Sequence, residues 1–514
     1  MNIRRFGVLV VHGIGDQKQF QALEEVARNL FRALARNPSH RPHMQVLGGD
    51  QVARRSKEET WREAPVLLRW TTPGSEVVEL SFREVFWADL DPEMSWRKWL
   101  RLAWWALSMP GVRVFGPGDG TEGSQEDNLS RHGLRRPRRL SGRELLQARL
   151  ELFAIAWVLC PVFVFLSGMQ RIVLRRVGLE FENFDRLLYD YLGDVMLYQD
   201  WLPMTDRVEG FGEKARVAIR RRMVRALTRA GSEVERGTLH GFYVFAHSLG
   251  TVAAFNGLME SSLALPNYLT EEEWNAVPAW LKTQASSDAP PGQLPARPPW
   301  LGPRDAIDRR RLLGGLRGFL TIGSPLDKFA SLWPATVPIN EEPVQPAVPW
   351  LNVHDPQDLV AGRIDLFTNP GSPSPGGGLL AVDGFRLSNH AWTGSWGFPM
   401  AHTSYWTTGG DGNRLVDRLI DWLEDPQAGF VPPCGVMPVR VGRVLLWFSL
   451  IACLPIALFV ASQLFAYGAN WLLRALKVEA HVSLRGVVVF AFVLVLTLSL
   501  LRRLFERVYW GRQR

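Results

Sequence analysis

One serine, Ser248, stands where a nucleophile would be built. It lies between the apolar run FYVFAH and the small-residue run GTVAAF, within residues 242–255. That pattern reads as a short buried strand, a tight turn and the start of a helix, which puts a hydroxyl at the tip of an elbow. Small flanking residues, Ala246 and Gly250, are needed there because strand and helix approach too closely for larger side chains. The backbone N–H of Leu249 would then point to where a carbonyl oxygen gains negative charge, which is half of an oxyanion hole. The chemistry this suggests is nucleophilic attack on a carbonyl carbon. A serine hydroxyl needs a base to take its proton, and the base needs a partner that fixes its tautomer.

Candidates for those partners follow in the chain. Residues 6–11 form a β-branched apolar run ending in His12-Gly13-Ile14-Gly15, a turn in which the amide of Ile14 would supply the second oxyanion donor. His12 itself reads as a structural residue that holds this turn. Residues 349–360, PWLNVHDPQDLV, read as a strand ending in two carboxylates, Asp355 and Asp358. Two late histidines, His390 and His402, could act as the base. Ser324 in TIGSPL is a rival serine, but a proline follows it and no elbow helix does.

The motifs VVHGIG, AHSLGT, TIGSPL, DPQD and AHTSYW, in this order, resemble the α/β-hydrolase superfamily of lipase and esterase type. They are similar to bacterial lipases and to GPI inositol-deacylase-like proteins. The resemblance spreads over residues 5–425 and is interrupted by insertions. One departure is Ala246, where the commonest pattern has glycine. The resemblance implies an α/β fold, a mostly parallel sheet flanked by helices, and a triad in the chain order Ser–Asp–His. It implies His402 as the base, because His402 precedes the last helix of the domain in the AHxSYW stretch. Asp358 is preferred to Asp355 as the acid, since the later aspartate of a DPxD turn usually faces the histidine. No metal or organic cofactor is implied. The expected reaction is attack of Ser248 on an ester, with Leu249 and Ile14 holding the oxyanion and water hydrolysing the acyl-enzyme.

These residues must be positioned by a chain that is unusually apolar. Hydrophobic residues make up 46% and charged residues only 21%, with 21 tryptophans, a balance that points to a membrane surface. Residues 444–473 are thirty positions without a charge and residues 486–501 are sixteen more. Together they read as a C-terminal transmembrane hairpin, with Arg440, Arg443, Arg502, Arg503 and Arg507 on the cytoplasmic side. Residues 152–170 are another nineteen uncharged positions that either span or lie in the interface. The expected organisation is a first hydrolase segment (1–95), a membrane-associated insertion with a basic loop (96–176), a second hydrolase segment (177–425) and the hairpin region (440–514). A mobile cap is expected at 260–311, where Pro, Ala and Ser are frequent.

The net charge of +8 comes mainly from arginines beside apolar runs, so the expected partner is a lipid bilayer and no nucleic acid is expected. The basic pattern at 207–229 reads as a solvated helix face. The N-terminus enters a strand at once, so export by a signal peptide is not expected. The whole reads as an integral membrane protein of a bacterial-type inner membrane, with its catalytic domain in the cytoplasm. The substrate expected is a lipid or other acyl ester. A thioesterase or peptidase on the same scaffold, and an inactive membrane scaffold, are the competing readings.

Overall fold

A computed structural model describes residues 3–13, 18–46, 66–72, 74–90, 134–137, 214–289, 295–373, 379–381, 384–395, 401–406 and 414–449, with single positions at 195, 198, 451 and 470. The chain divides into two compact units. One comprises residues 1–92, 123–139 and 197–443, and the other residues 93–122, 140–196 and 444–514. Nearly all described residues belong to the first unit. The expected spans at 152–170 and 486–501, and all of 444–473 except 444–449, 451 and 470, lie outside the described residues. Among the described residues no helix is long and apolar enough to cross a membrane.

The first unit is built on a ten-stranded sheet. Its strands are β1 (Ile3–Val11), β2 (His43–Val46), β3 (Val66–Thr71), β4 (Val77–Val85), β5 (Gly241–His247), β6 (Leu316–Ile322), β7 (Val348–His354), β8 (Thr368–Pro373), β9 (Leu379–Ala381) and β10 (Phe385–Ala391). Their spatial order is β8-β9-β10-β7-β6-β5-β1-β4-β3-β2. The central six, β10-β7-β6-β5-β1-β4, are mutually parallel, and the outer strands on both sides run antiparallel to their neighbours. This is an α/β architecture. The innermost strands β1 and β5 are near-continuous apolar runs because helices cover both of their faces.

Alternation along each strand sorts side chains between those faces. Phe6, Val8 and Val10 of β1 and Tyr243 and Phe245 of β5 join one core with α1 (Gln21–Arg36) and α4 (Arg414–Glu424). Leu23, Val26 and Leu30 of α1 and Leu415, Leu419 and Trp422 of α4 fill that layer. On the other face lie α2 (Ala215–Glu235) and α3 (Gly250–Leu258), where Phe255 packs on Trp350 and Phe367 at ring distances of 5.7 and 4.9 Å. Full burial of each such side chain contributes about 1.5–3 kcal/mol.

Several expectations change here. Residues 374–378, 382–383 and 396–400 lie outside the described residues, but the Gly-, Pro- and Ser-rich stretch after Val360, whose composition reads as a loop, carries the strands β8, β9 and β10. Their composition hides them, because pairing to an already formed sheet edge supplies what propensity does not. The segment expected as a mobile cap packs through its own core of Leu265, Tyr268, Leu269, Val277, Leu281 and Ile307 against Val217 and Val224 of α2. It includes a helix, Glu271–Ala276, with a capping box on Thr270. Residues 290–294 of it lie outside the described residues. This packing also overturns the solvated face expected for the basic helix. Arg220 pairs with Glu260 at 3.0 Å, Arg225 with Glu273 at 2.7 Å, and Arg222 with Asp89, because acidic residues of neighbouring segments cover the helix.

The direction of travel through the sheet reverses next to β1. From β1 the chain goes to the far edge at β2 and returns inward through β3 to β4. It then crosses to β5 on the other side of β1 and runs through β6 and β7, before the far edge at β8 and the return through β9 to β10. The crevice at the carboxyl ends of β1 and β5 is therefore the switch point, the usual place for a ligand in an open α/β sheet. Val11 pairs with Ala246 across it, so Gly13 and Ser248 each lie two residues beyond the same rung.

Candidate active site

Ser248 occupies the turn between β5 and α3 with φ of 54°, the left-handed region that a non-glycine residue enters at a cost of about 1–3 kcal/mol. Close packing explains how the turn is kept. Its N–H donates to the carbonyl of Ile322 at 3.0 Å. A Cβ added at Gly250 would lie 2.2 Å from the His12 carbonyl oxygen, and one added at Gly13 would lie 2.6 Å from the Ser248 Cβ. The Ser248 carbonyl accepts from Thr251 Oγ1 at 2.7 Å. Because that uses the only Thr251 hydroxyl proton, Ser324 Oγ must donate to Thr251 Oγ1, 2.8 Å away. Ser324 is thus a buried brace for the elbow.

The three residues expected to act together are brought together from the ends of three parallel strands. Ser248 follows β5, Asp358 lies in the turn after β7, and His402 lies in the turn at 401–406 between β10 and α4. His402 Nε2 is 2.8 Å from Ser248 Oγ, and His402 Nδ1 is 2.9 Å from Asp358 Oδ2. Burial by itself would raise the Asp358 carboxyl. The facing His402, the Val360 N–H and the Tyr405 hydroxyl outweigh it and hold the group below the usual carboxylate range. An ionised Asp358 can only accept, so the Nδ1 of His402 carries the proton. Its Nε2 then offers a lone pair to the Ser248 hydroxyl.

Asp355, the alternative acid, faces elsewhere. Its two oxygens accept from the N–H groups of Gln357 at 2.9 Å and Gly394 at 2.8 Å, which ties the turn to the chain after β10. Burial raises its carboxyl to about 6, against those two donors. His390, the alternative base, is held in β10 opposite Val353, with its ring edge-on to Phe430. Burial depresses its pKa.

Of the two expected oxyanion donors, Leu249 directly follows Ser248 with helical φ and ψ of −59° and −26°, at the amino end of α3, where N–H groups lack intrahelical partners. Ile14 lies outside the described residues. The turn before it is fixed by His12. The ring accepts the N–H of Trp87 at its Nε2 (3.0 Å), so its Nδ1–H donates to the Gly13 carbonyl at 2.7 Å. Trp87 stacks on the ring at 4.8 Å, and its indole N–H reaches the His12 carbonyl. The chain leaves β4 at Val85, and Trp87 is then free of the sheet to make these contacts.

Two further residues support the site without having been singled out in the sequence. His247, the neighbour of Ser248, stacks on His402 at 5.1 Å and donates its Nε2–H to the His402 carbonyl at 3.1 Å. Tyr405 bonds Asp358 directly. The only trace of them beforehand was their nearness to the serine and to His402 in AHS and AHTSYW. Among the described residues no group of three His, Cys, Asp or Glu side chains is arranged to share a metal ion.

Burial keeps three histidines neutral, lowering His12 and His354 to about 4 and His247 to about 3. In the unfolded chain each takes a proton near pH 6.5, so between that pH and about 4 the unfolded state binds more protons and stability falls with falling pH. For His12 alone the loss across that window is on the order of 3 kcal/mol. Melting temperatures measured from pH 7 to 4 should therefore decline, and less steeply in His12→Gln. Equal slopes for wild type and His12→Gln over that window would show the His12 imidazole charging within the fold. Compared with known proteins, the chain matches no family model, no curated protein and no solved structure.

Proposed function

We propose that this chain is a serine hydrolase of the α/β-hydrolase fold that cleaves carboxylic esters, with lipid or other acyl esters as its substrates. The single observation that carries the reading is the continuous hydrogen-bond chain from Ser248 Oγ through His402 to an ionised Asp358, at the carboxyl ends of parallel strands. In the first step His402 Nε2 takes the Ser248 proton as Oγ bonds to the ester carbonyl carbon. The carbonyl electron pair moves onto oxygen, where the amides of Leu249 and Ile14 receive it. Collapse expels the alcohol, which takes the proton from His402 and leaves an acyl-serine. Water, deprotonated by His402, attacks that ester, and Ser248 leaves with the proton restored. Asp358 stabilises the imidazolium in both halves.

Support for a membrane setting comes from the uncharged runs 444–473, 486–501 and 152–170 and the arginines beside them. In this reading the chain sits in a bacterial-type inner membrane with the catalytic unit on the cytoplasmic side, so that substrates reach it from the bilayer. The deciding experiment treats detergent-solubilised protein with a fluorophosphonate and maps the adduct by peptide mass. One adduct on the peptide containing Ser248 is the expected result. Folded protein that takes up no probe would reject the hydrolase reading in favour of a non-catalytic scaffold.

A further inference from the structure

Resting on the hydrolase reading above, we infer that Tyr405 is a positioning residue that tunes the acid–base pair, acting on His402 through Asp358. The Tyr405 hydroxyl lies between two groups of one turn. It accepts the backbone N–H of Asp355 at 2.8 Å, which orients its lone pairs, and its own proton goes to Asp358 Oδ2 at 2.9 Å. That is the same oxygen that receives His402 Nδ1–H at 2.9 Å. Oδ1 is separately held by the N–H groups of Val360 at 2.8 Å and Ala361 at 3.2 Å. The tyrosine hydroxyl and the imidazole therefore compete for the charge on one oxygen.

Tyr405 is fully buried and its ring is fixed. It meets His247 edge-on at 6.0 Å and lies 6.3 Å from Trp392. A Cβ added at Gly323 would lie 3.1 Å from its ring. With its oxygen held by the Asp355 N–H, the hydroxyl gives up its bond to the carboxylate if its proton turns away from Asp358. Tyr405 also follows His402 by three residues in a single turn, so one short segment supplies both donors to Oδ2. The groups facing Asp358 are His402 and Tyr405 from that turn, His247 from the end of β5, and Asp355 and His354 from its own strand and turn. His247 and His354 are held neutral by burial, so the protonation that His402 undergoes is read against the Asp358 charge as Tyr405 leaves it.

The consequence has a definite sign. A strong donor on Oδ2 withdraws charge from the bond to His402, and removing it concentrates that charge on Nδ1–H and stabilises the imidazolium. Reaction with an ester or a phosphonate needs neutral His402. In Tyr405→Phe the acid limb of the fluorophosphonate labelling rate should therefore move to higher pH by about half a unit or more, with the plateau rate reduced about tenfold. Replacing Tyr405 with 3-fluorotyrosine keeps the shape and makes the hydroxyl a stronger donor, so it should move the limb to lower pH. A ring that acted only by packing would lower the plateau without moving the limb in either variant, and that result would overturn the inference. The fluorinated variant carries the test if Tyr405→Phe fails to fold. Wild type labelled on Ser248 with both limbs unmoved would overturn this inference alone. Wild type without any label would overturn the hydrolase reading and this inference with it.

Discussion

Asp358→Asn should slow both fluorophosphonate labelling and ester turnover by about 10³- to 10⁴-fold while leaving the protein folded. The reason lies in how the turn holds the carboxylate. Oδ1 accepts two backbone N–H groups, from Val360 and Ala361, and Oδ2 accepts from His402 and Tyr405. An asparagine has one oxygen and one NH₂. With the oxygen kept toward Val360 and Ala361, the NH₂ points at His402 Nδ1 and donates to it. His402 must then carry its proton on Nε2, where it can no longer take one from Ser248. With the amide turned round, the NH₂ opposes two backbone donors, each loss costing about 1–3 kcal/mol. Either orientation disables the base or strains the turn. Asp355→Asn changes a carboxylate equally buried and only three residues away, yet its oxygens serve Gln357 and Gly394. It should lower stability and change the labelling rate less than about tenfold. Steady-state rates and labelling kinetics of the two variants decide the matter. Equal losses, or the larger loss in Asp355→Asn, would remove Asp358 from the acid's role.

Gly250→Ala should be the most damaging single methyl addition at the site. The added Cβ would sit 2.2 Å from the His12 carbonyl oxygen and 2.6 Å from that of Val11. Both are backbone atoms of the β1 end, so no rotamer change relieves the clash. Helix α3 must move away from the sheet, and the left-handed turn at Ser248 depends on that close approach. A loss of about 3–5 kcal/mol is expected, which in a domain of this size lowers the melting temperature by roughly 10 °C. Labelling should fall in the fraction that still folds, because the His402 contact requires Ser248 to stay in place. Gly314→Ala is the control. Its Cβ would meet nothing within 4 Å, and the melting temperature should stay the same or rise slightly. Similar melting curves for the two variants would mean that the elbow does not depend on the Gly250 contact.

Much of the site could be read from the chain because its geometry is local. An apolar run, a serine and a run of small residues specify a strand, a turn and a helix over fourteen positions, 242–255, and the structure has β5, the elbow and α3 there. The resemblance of the motifs to the α/β-hydrolase superfamily likewise implied an α/β sheet. Strands β8 to β10 could not be read this way. TNPGSP and RLSNHA have little intrinsic preference for strand and are held by neighbours already paired, with Asn389 of β10 bonded to Asn352 of β7 at 2.8 Å. The arginines of α2 misled for a related reason. Their partners, Asp89, Glu260 and Glu273, come from segments that only folding brings beside the helix.

The sequence by itself singled out Ser248 as the candidate nucleophile, since an elbow is made by residues within a few positions of one another. It also narrowed the acid to two aspartates and the base to two histidines. Only the tertiary structure shows which of them lie in line with Ser248, namely Asp358 and His402. Asp355 and Asp358 share one turn, and their directions depend on which backbone amides each carboxylate meets, one of which belongs to Gly394, 39 positions away. His390 is fixed in a strand by its register with β7, whereas His402 is carried by a turn 154 positions from Ser248. Contacts across such separations depend on the packing of whole layers, and no local pattern encodes them. The hydroxyl of Tyr405 joins the acid by the same route.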